Sequence, residues 1–195
     1  MQTYSKKGDQ GFTHLLGSLR VRKDDPRMEA VGAVDELNCH IGHALSEARR
    51  GAHVAIAGIL RPIQSELFIL GSRLAGLGTS AAKRELPSGT IDRLEQHIDT
   101  LSEELPPLRT FILPDGCELA CRLQIGRSVC RRAERAVVHL LNPTDTELLH
   151  DPMAVPYLNR LSDLLFTLAR LANRDANETE TPWQSDPDAL PPPAS

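Results

Sequence analysis

The chain has 195 residues, enough for one well-packed domain, and its 22 Lys and Arg against 26 Asp and Glu give a net charge of -4. This balance and an aromatic content of only 4% exclude broad binding to nucleic acid, which requires a basic surface or stacking platforms, and argue against binding to a membrane surface. No apolar run predicts a transmembrane helix and the N-terminus has no signal-peptide core, so we expect a soluble, cytoplasmic protein.

The N-terminal segment 4–17, Y-S-K-K-G-D-Q-G-F-T-H-L-L-G, has neither a helical nor a strand period. A glycine-rich loop of this kind can present backbone N–H groups, lysine charge and a hydroxyl to a chain of phosphates. It lacks the G-x-x-x-x-G-K-[ST] order of a Walker motif, so a flexible arm remains the alternative. Asp25 followed by Pro26 then predicts the N-cap and the first position of a helix.

Apolar residues recur at i, i+3 and i+4 in five segments, which predicts helices over 26–50, 54–77, 90–105, 117–141 and 155–174. A Gly/Ser/Pro-rich break separates the second from the third, and no β-branched alternation is long enough for a sheet. We therefore predict an all-α fold, a five-helix antiparallel bundle with an N-terminal phosphate-binding loop, over residues 1–176. Residues 177–195 are Pro-rich and predict a disordered tail.

Two of these helices carry polar residues on apolar faces. Asp35 lies among Val34, Leu37 and Ile41, and Asp163 follows Asn159 on the last helix. Because buried charges are normally paired, either aspartate could neutralise a buried arginine, with ordinary edge positions as the alternative.

The fourth helix contains R-S-V-C-R-R-A-E-R at 127–135. At 3.6 residues per turn, Arg127, Arg131, Glu134 and Arg135 are predicted to share one face. Cations at this spacing repel one another unless an anion lies among them, and arginine suits bidentate binding of phosphate or carboxylate. The pattern favours a buried anion site, with a solvated charged face as the alternative.

No metal site is predicted. The four cysteines lack zinc-finger spacing, so reduced, packed thiols are expected, with a metal or redox role as the alternative. They are Cys39, Cys117, Cys121 and Cys130. A di-metal bundle site needs two Glu-x-x-His motifs, and the chain has one match, Glu147 to His150.

Three blocks of the chain, in order, resemble one family. They are S-K-K-G-D-Q-G-F-T leading into V-R-K-D-D-P-R-M-E-A-V-G-A-V-D-E-L-N; F-I-L-P followed by R-S-V-C-R-R-A-E-R; and L-N-R-L-S-D-L-L-F-T-L-A-R. Together they are similar to the PduO-type ATP:cob(I)alamin adenosyltransferases over residues 4–174. The resemblance implies a five-helix bundle that assembles as a homotrimer with active sites between subunits.

The resemblance also implies roles for particular residues. The N-terminal loop would wrap the ATP triphosphate through Ser5, Lys6, Lys7, Gly8, Thr13 and His14, and Lys23 would face ATP as well. The nucleotide-binding helix would contribute Arg131, Arg132, Ala133, Glu134 and Arg135, and Asn159 would contact the nucleotide. Asp35 and Arg127 would bridge subunits near the site, and Phe111 would lie beneath the corrin ring. His14 and Asp115 depart from the residues usual in the family at their positions.

The implied substrates are ATP, with Mg²⁺, and a reduced corrinoid. Cob(I)alamin would attack the ribose C5′ and displace triphosphate, giving adenosylcobalamin, while the protein supplies position and electrostatics. A ring under the cobalt would exclude an axial ligand and make reduction by a partner reductase easier. One alternative is an escort protein that delivers adenosylcobalamin to a client enzyme, and another is a purely structural bundle.

Overall fold

The structure is a computed structural model that describes residues 4, 6–16, 19–77, 85–141 and 151–184. Its helices are α1 (Pro26–Arg50), α2 (Val54–Gly76), α3 (Thr90–Glu103), α4 (Glu118–Leu140) and α5 (Ala154–Asp175). The predicted five-helix bundle is confirmed. The predicted start of α1 is confirmed too: the Asp25 side chain accepts a hydrogen bond from Arg27 N at 2.8 Å, with Pro26 in the first turn.

The helices pack as neighbours in the row α2, α1, α4, α5, α3, and α2 also contacts α5. Apolar side chains from every helix form one core, and the largest fully buried ones include Leu37, Ile41, Leu67, Leu123, Leu158 and Leu94. α4 lies in the middle of this row, with α1 on one side and α5 on the other. The polar residues of α4 are therefore confined to the strips that its two neighbours leave uncovered.

The N-terminal segment differs from the prediction. Strands β1 (Phe12–His14) and β2 (Arg20–Arg22) form an antiparallel pair in which Thr13 lies opposite Val21. This small hairpin was not predicted, because three-residue strands are too short to display an alternating pattern. Within the described part of the chain, neither strand packs against a helix.

The second helix also differs from expectation. By length and composition α2 is apolar enough to cross a membrane, although the sequence analysis found no such run. This is weak support for a membrane span, because one face of α2, including Leu60, Leu67 and Leu74, is buried in the bundle core. Its buried Glu66 pairs with Arg93 of α3 and accepts a hydrogen bond from the Tyr157 hydroxyl of α5 at 3.0 Å.

The described part of the predicted tail, residues 177–184, lies against the bundle. Its backbone pairs with the segment between α3 and α4, through a bridge between Ile112 and Pro182. Residues 185–195 lie outside the described part of the chain, and so does the motif from Glu147 to His150.

Candidate active site

Two arginines of α4 share a cleft with α5. Arg127 and Arg131 line a cavity of about 170 Å³ together with Ser162, Asp163, Phe166 and Thr167. Arg127 is half-buried and donates from Nε to Gln124 Oε1 at 2.7 Å. Among the described residues, neither Arg127 nor Arg131 has an ion-pair partner. The cleft therefore holds two cations and one carboxylate, that of Asp163, which pairs with neither arginine.

Burial makes this uncompensated charge costly. Desolvation lowers the pKa of Arg127, and the neighbouring charge of Arg131 lowers it further. The Arg127 guanidinium nevertheless stays charged at neutral pH, because the ordinary arginine pKa is far higher. An anion that enters the cleft would relieve the repulsion and gain charge-assisted hydrogen bonds.

The other arginines of the segment lie elsewhere. Arg132 and Arg135 line a separate groove of about 460 Å³ beside Pro114. Arg132 forms an exposed ion pair with Glu36 of α1, and Arg135 donates to the Arg131 carbonyl at 3.1 Å. The predicted single face was wrong for Arg135, which lies about 80° around the helix from Arg127. The solvated-face alternative describes Arg132 and Arg135, and the anion-site hypothesis suits Arg127 and Arg131.

A polar chain joins α4 to α5 and α3 beside the cleft. Asn159 Nδ2 donates to Glu134 Oε1 at 3.2 Å, and Arg160 Nη1 donates to Asn159 Oδ1 at 2.7 Å. Arg160 in turn pairs with Glu95 at 2.7 Å. Asn159 therefore lies between Glu134 and Arg160, and both of these residues set the orientation of its amide.

Ala133, also predicted for the site, is fully buried in the core, and its small side chain allows close packing there.

The N-terminal residues gather around one turn. A β-carbon added to Gly8 would lie 3.1 Å from Lys23 Nζ, and Lys23 N donates to the Gly11 carbonyl at 2.9 Å. Lys6 and Lys7 are exposed in the same turn, with Lys6 at a φ of 59°. Lys23 therefore lies beside the turn that carries Lys6 and Lys7, and lysines gathered in this way suit a phosphate ligand. Thr13 and His14 follow on β1, and Ser5 lies outside the described residues.

Within the described residues, neither strand of the hairpin that adjoins the lysine turn packs against α4 or α5. Asp35 does not line the arginine cleft. It is exposed in an apolar groove of about 450 Å³ between α1 and α2, whereas Arg127 faces α5. Asp35 forms no ion pair among the described residues, so its predicted pairing with an arginine of α4 stays a prediction. Asp163 lines the arginine cleft but forms no ion pair with a described residue.

The ring of Phe111 points away from the core and is 81% exposed. The backbone around it is held on both sides: Trp183 N donates to the Phe111 carbonyl at 2.7 Å, and Leu113 N donates to the Thr181 carbonyl at 2.8 Å. Phe111 therefore does not fill the end of the bundle. An exposed aromatic ring on a fixed backbone is suited to contact a flat ligand.

The sequence analysis missed two buried polar residues of α5 that hold the Phe111 segment. Asn173 Nδ2 donates to the Asp115 carbonyl at 3.1 Å, and its Oδ1 accepts from Cys117 N at 3.0 Å. Arg170, only 7% exposed, binds the Pro106 carbonyl and Glu180. Polar residues on the apolar side of the last helix were a signal for both, but only Asn159, Arg160 and Asp163 were considered.

The cysteines are all free. Cys130 is buried, its thiol donates to the Leu158 carbonyl at 3.1 Å, and burial raises its pKa strongly. The expected packing applies to Cys130 and not to Cys39, which is exposed on α1. In the described part of the chain, no three His, Cys, Asp or Glu side chains are placed to hold a metal ion.

Comparison with known proteins gives a consistent result. The sequence matches the family described as cobalamin adenosyltransferase over residues 3–172. It is 42% identical to human corrinoid adenosyltransferase MMAB over 192 residues, covering 95% of this chain and 75% of the relative. It is 41% identical to a corrinoid adenosyltransferase of Bacillus subtilis over 174 residues, covering 89% of this chain and 87% of the relative.

Solved structures agree in fold. A phenylalanine-to-alanine variant of a PduO-type ATP:corrinoid adenosyltransferase from Lactobacillus reuteri, complexed with cobalamin and ATP, superposes with a TM-score of 0.85. It is 33% identical, and the match covers 94% of this chain and 100% of that one. An arginine-to-lysine variant of the Lactobacillus reuteri enzyme, complexed with ATP, gives a TM-score of 0.83 at 32% identity, covering 93% and 99% of the two chains.

Proposed function

This chain belongs to the cobalamin adenosyltransferase family, and we propose that it transfers the 5′-deoxyadenosyl group of ATP to the cobalt of a reduced corrinoid. The products are adenosylcobalamin and triphosphate. The observation that carries this proposal is the extent of the family match, residues 3–172, which includes every residue predicted for the site.

Arg127 and Arg131 supply positive charge for the leaving group. Negative charge accumulates on the triphosphate as the bond to C5′ breaks, and cations already fixed in place stabilise it without reorganisation. The cleft that these residues line has no chain carboxylate paired with either arginine among the described residues. Asn159, held between Glu134 and Arg160, provides an oriented amide for the nucleoside.

Phe111 acts on the cobalt side of the reaction. An apolar ring under the corrin excludes water and the nucleotide-tail base from the lower axial position, and reduction of cobalt(II) becomes easier without that donor. The 81% exposure of the ring leaves it available for such a contact. The cobalt carries the chemistry, and the chain positions the two substrates.

The active sites lie between subunits of a homotrimer. The hairpin strands contact neither α4 nor α5 among the described residues, which supports a site that takes the lysines and the arginine cleft from two chains. The groove between α1 and α2, with Phe68 70% exposed, offers an apolar surface for that neighbour. Asp35 in this groove then faces Arg127 of the adjoining subunit, and the pair links assembly to the site.

ATP enters as its Mg²⁺ complex. The described residues offer no cluster of three acidic or histidine ligands, so phosphate oxygens and water would supply most of the ligands of the ion. The enzyme works in the cytoplasm with a reductase that supplies electrons, and its product passes to an adenosylcobalamin-dependent client enzyme.

The test of this function is ATP-dependent formation of adenosylcobalamin from corrinoid under reducing conditions, with the parent chain and Phe111→Ala compared. Because the ring is exposed, the substitution should change the free energy of unfolding by less than about 0.5 kcal/mol. ATP affinity should persist, while turnover and the absorption spectrum of four-coordinate cobalt(II) should be lost. Tight binding of adenosylcobalamin without turnover by the parent would favour the escort function instead. Full turnover by a folded Phe111→Ala variant would contradict the axial role.

A further inference from the structure

We propose that residues Glu180–Trp183, named the strap here, position the ring of Phe111 for catalysis, and that Arg170 anchors the strap. The inference rests on the proposed function, since it assigns the strap a role only if Phe111 acts at the corrin. Neither Arg170 nor the strap touches the arginine cleft, so both are positioning elements and not catalytic residues.

The anchor is a buried ion pair. Arg170 is 7% exposed; its Nε donates to Glu180 Oε1 at 2.6 Å and its Nη2 donates to Oε2 at 3.2 Å. The same Nη2 donates to the Pro106 carbonyl at 2.6 Å. One guanidinium group on α5 thus holds both the beginning of the strap and the beginning of the segment that bears Phe111.

The strap then pairs with that segment through its backbone. Hydrogen bonds from Trp183 N to the Phe111 carbonyl and from Leu113 N to the Thr181 carbonyl enclose the Ile112–Pro182 bridge. Directly opposed residues of an antiparallel pair have side chains on the same side, so Phe111 and Trp183 project together. These two bonds fix the backbone direction at Phe111.

Backbone contacts have to hold the Phe111 ring in position, because side-chain packing does not. A ring that is 81% exposed gains almost no positional restraint from the core. Without the strap, the described contacts of α5 would hold the segment only near its ends, at Asp115 and Cys117 through Asn173 and at Pro106 through Arg170. A misplacement of about 1 Å is enough to reduce turnover about 100-fold.

The first test uses two shortened chains. One ends after Gln184 and keeps the strap; the other ends after Glu178, which removes the strap but retains the hydrogen bond from Glu178 N to the Asn173 carbonyl at 2.9 Å, beyond the end of α5. We expect the longer chain to match the parent. The shorter chain should lose about 10- to 100-fold in kcat, with its KM for ATP within about twofold of the parent, and should lose the four-coordinate cobalt(II) spectrum.

The second test uses point variants. Glu180→Gln removes the charge that Arg170 pairs with, and Glu180→Asp keeps it. The control is Glu104→Gln, which breaks the ion pair of Arg174 one turn further along α5, at 2.9 Å, without touching the strap. We expect Glu180→Gln to weaken the cobalt(II) signature, Glu180→Asp to restore part of it, and Glu104→Gln to leave it unchanged.

The outcomes separate this inference from the function on which it rests. If the parent forms no adenosylcobalamin, the proposed function fails. If the parent is active and the chain ending after Glu178 keeps the parental kcat and cobalt(II) spectrum, the strap has no positioning role. Loss of ATP affinity or of cooperative unfolding together with turnover would also overturn the inference, because the strap would then maintain the fold as a whole.

Discussion

At the scale of single residues, geometry distinguishes cations that sequence alone treats as equal. Arg132 and Arg135 lie outside the α4–α5 cleft, and Arg132 pairs with Glu36, whereas Arg131 enters the cleft and has no ion-pair partner among the described residues. Arg131 is therefore a better candidate for binding ATP than Arg132 or Arg135.

Replacing this residue by lysine tests that role. Arg131→Lys keeps the charge but loses the planar fork that binds phosphate, so kcat/KM for ATP should fall by an amount equivalent to roughly 1.5–3 kcal/mol. Circular dichroism and thermal melting should match the parent, because the Arg131 side chain is exposed. Arg174→Lys, a change of the same kind at a surface ion pair, is the control and should leave kcat/KM for ATP unchanged. Parental kcat/KM in the Arg131 variant would exclude it from the nucleotide site.

Gly116 tests the connection between α5 and the Phe111 segment. Its φ is +110°, and an added β-carbon would lie 2.0 Å from Asn173 Oδ1. Gly116→Ala should therefore lower the free energy of unfolding by roughly 2–4 kcal/mol, through backbone strain and disrupted hydrogen bonds of Asn173. Gly89→Ala is the matched control, since Gly89 has a φ of +74° and no atom within 4 Å of an added β-carbon. Equal losses in urea unfolding of both variants would mean that contact with Asn173 costs nothing.

At the scale of helices and strands, periodicity predicted most of the structure. Each helix ends within two residues of its predicted bounds, because the buried positions of α1, α2, α4 and α5 recur once per turn. The hairpin could not be predicted this way, since its order comes from pairing between strands of three residues. The strap escaped prediction for the same reason: a Pro-rich composition indicates disorder, but Thr181 and Trp183 bond to a segment about 70 residues earlier in the chain.

Gly126 tests the packing of α4 on α5. An added β-carbon would lie 3.8 Å from Leu165 Cδ1, an ordinary van der Waals distance. Gly126→Ala should therefore stabilise the protein by about 0.5–1 kcal/mol, because alanine restricts the unfolded chain and has a higher helix propensity. Gly58→Ala in the exposed second turn of α2, with no atom within 4 Å, should give a similar gain. A lower melting temperature for Gly126→Ala alone would mean that α4 and α5 are packed more tightly than this distance indicates.

At the scale of the whole molecule, we propose that the site is divided between chains. The resemblance predicted both halves by residue type, but the sequence could not say which chain supplies each half, because that depends on how copies pack. Within the described residues, the hairpin strands contact neither α4 nor α5, and Asp35 and Arg127 line different clefts.

Mixing two inactive variants tests whether the halves come from different chains. Lys23→Ala and Arg131→Ala should each be inactive alone, since every site then lacks one of its cations. In trimers formed from equal amounts of both, about one quarter of the interfaces would combine two intact halves, and about one quarter of the parental activity should return. A variant that carries both changes in one chain should show no activity, because none of its interfaces contains an intact half. Absence of recovery in verified mixed trimers would place both halves in the same chain.

Cys39 and Cys130 differ in exposure, so their alkylation rates report on different processes, subunit dissociation and unfolding. Only the thiolate reacts with alkylating reagents, and burial both shields Cys130 and raises its pKa, so this thiol becomes reactive only when the bundle opens. Cys39 is exposed one turn after Asp35, on the surface proposed to meet a neighbouring subunit. Slow alkylation of Cys39 that accelerates on dilution would therefore record dissociation of subunits, and labelling of Cys130 would record unfolding. A single mass spectrum would then follow both processes in the same sample.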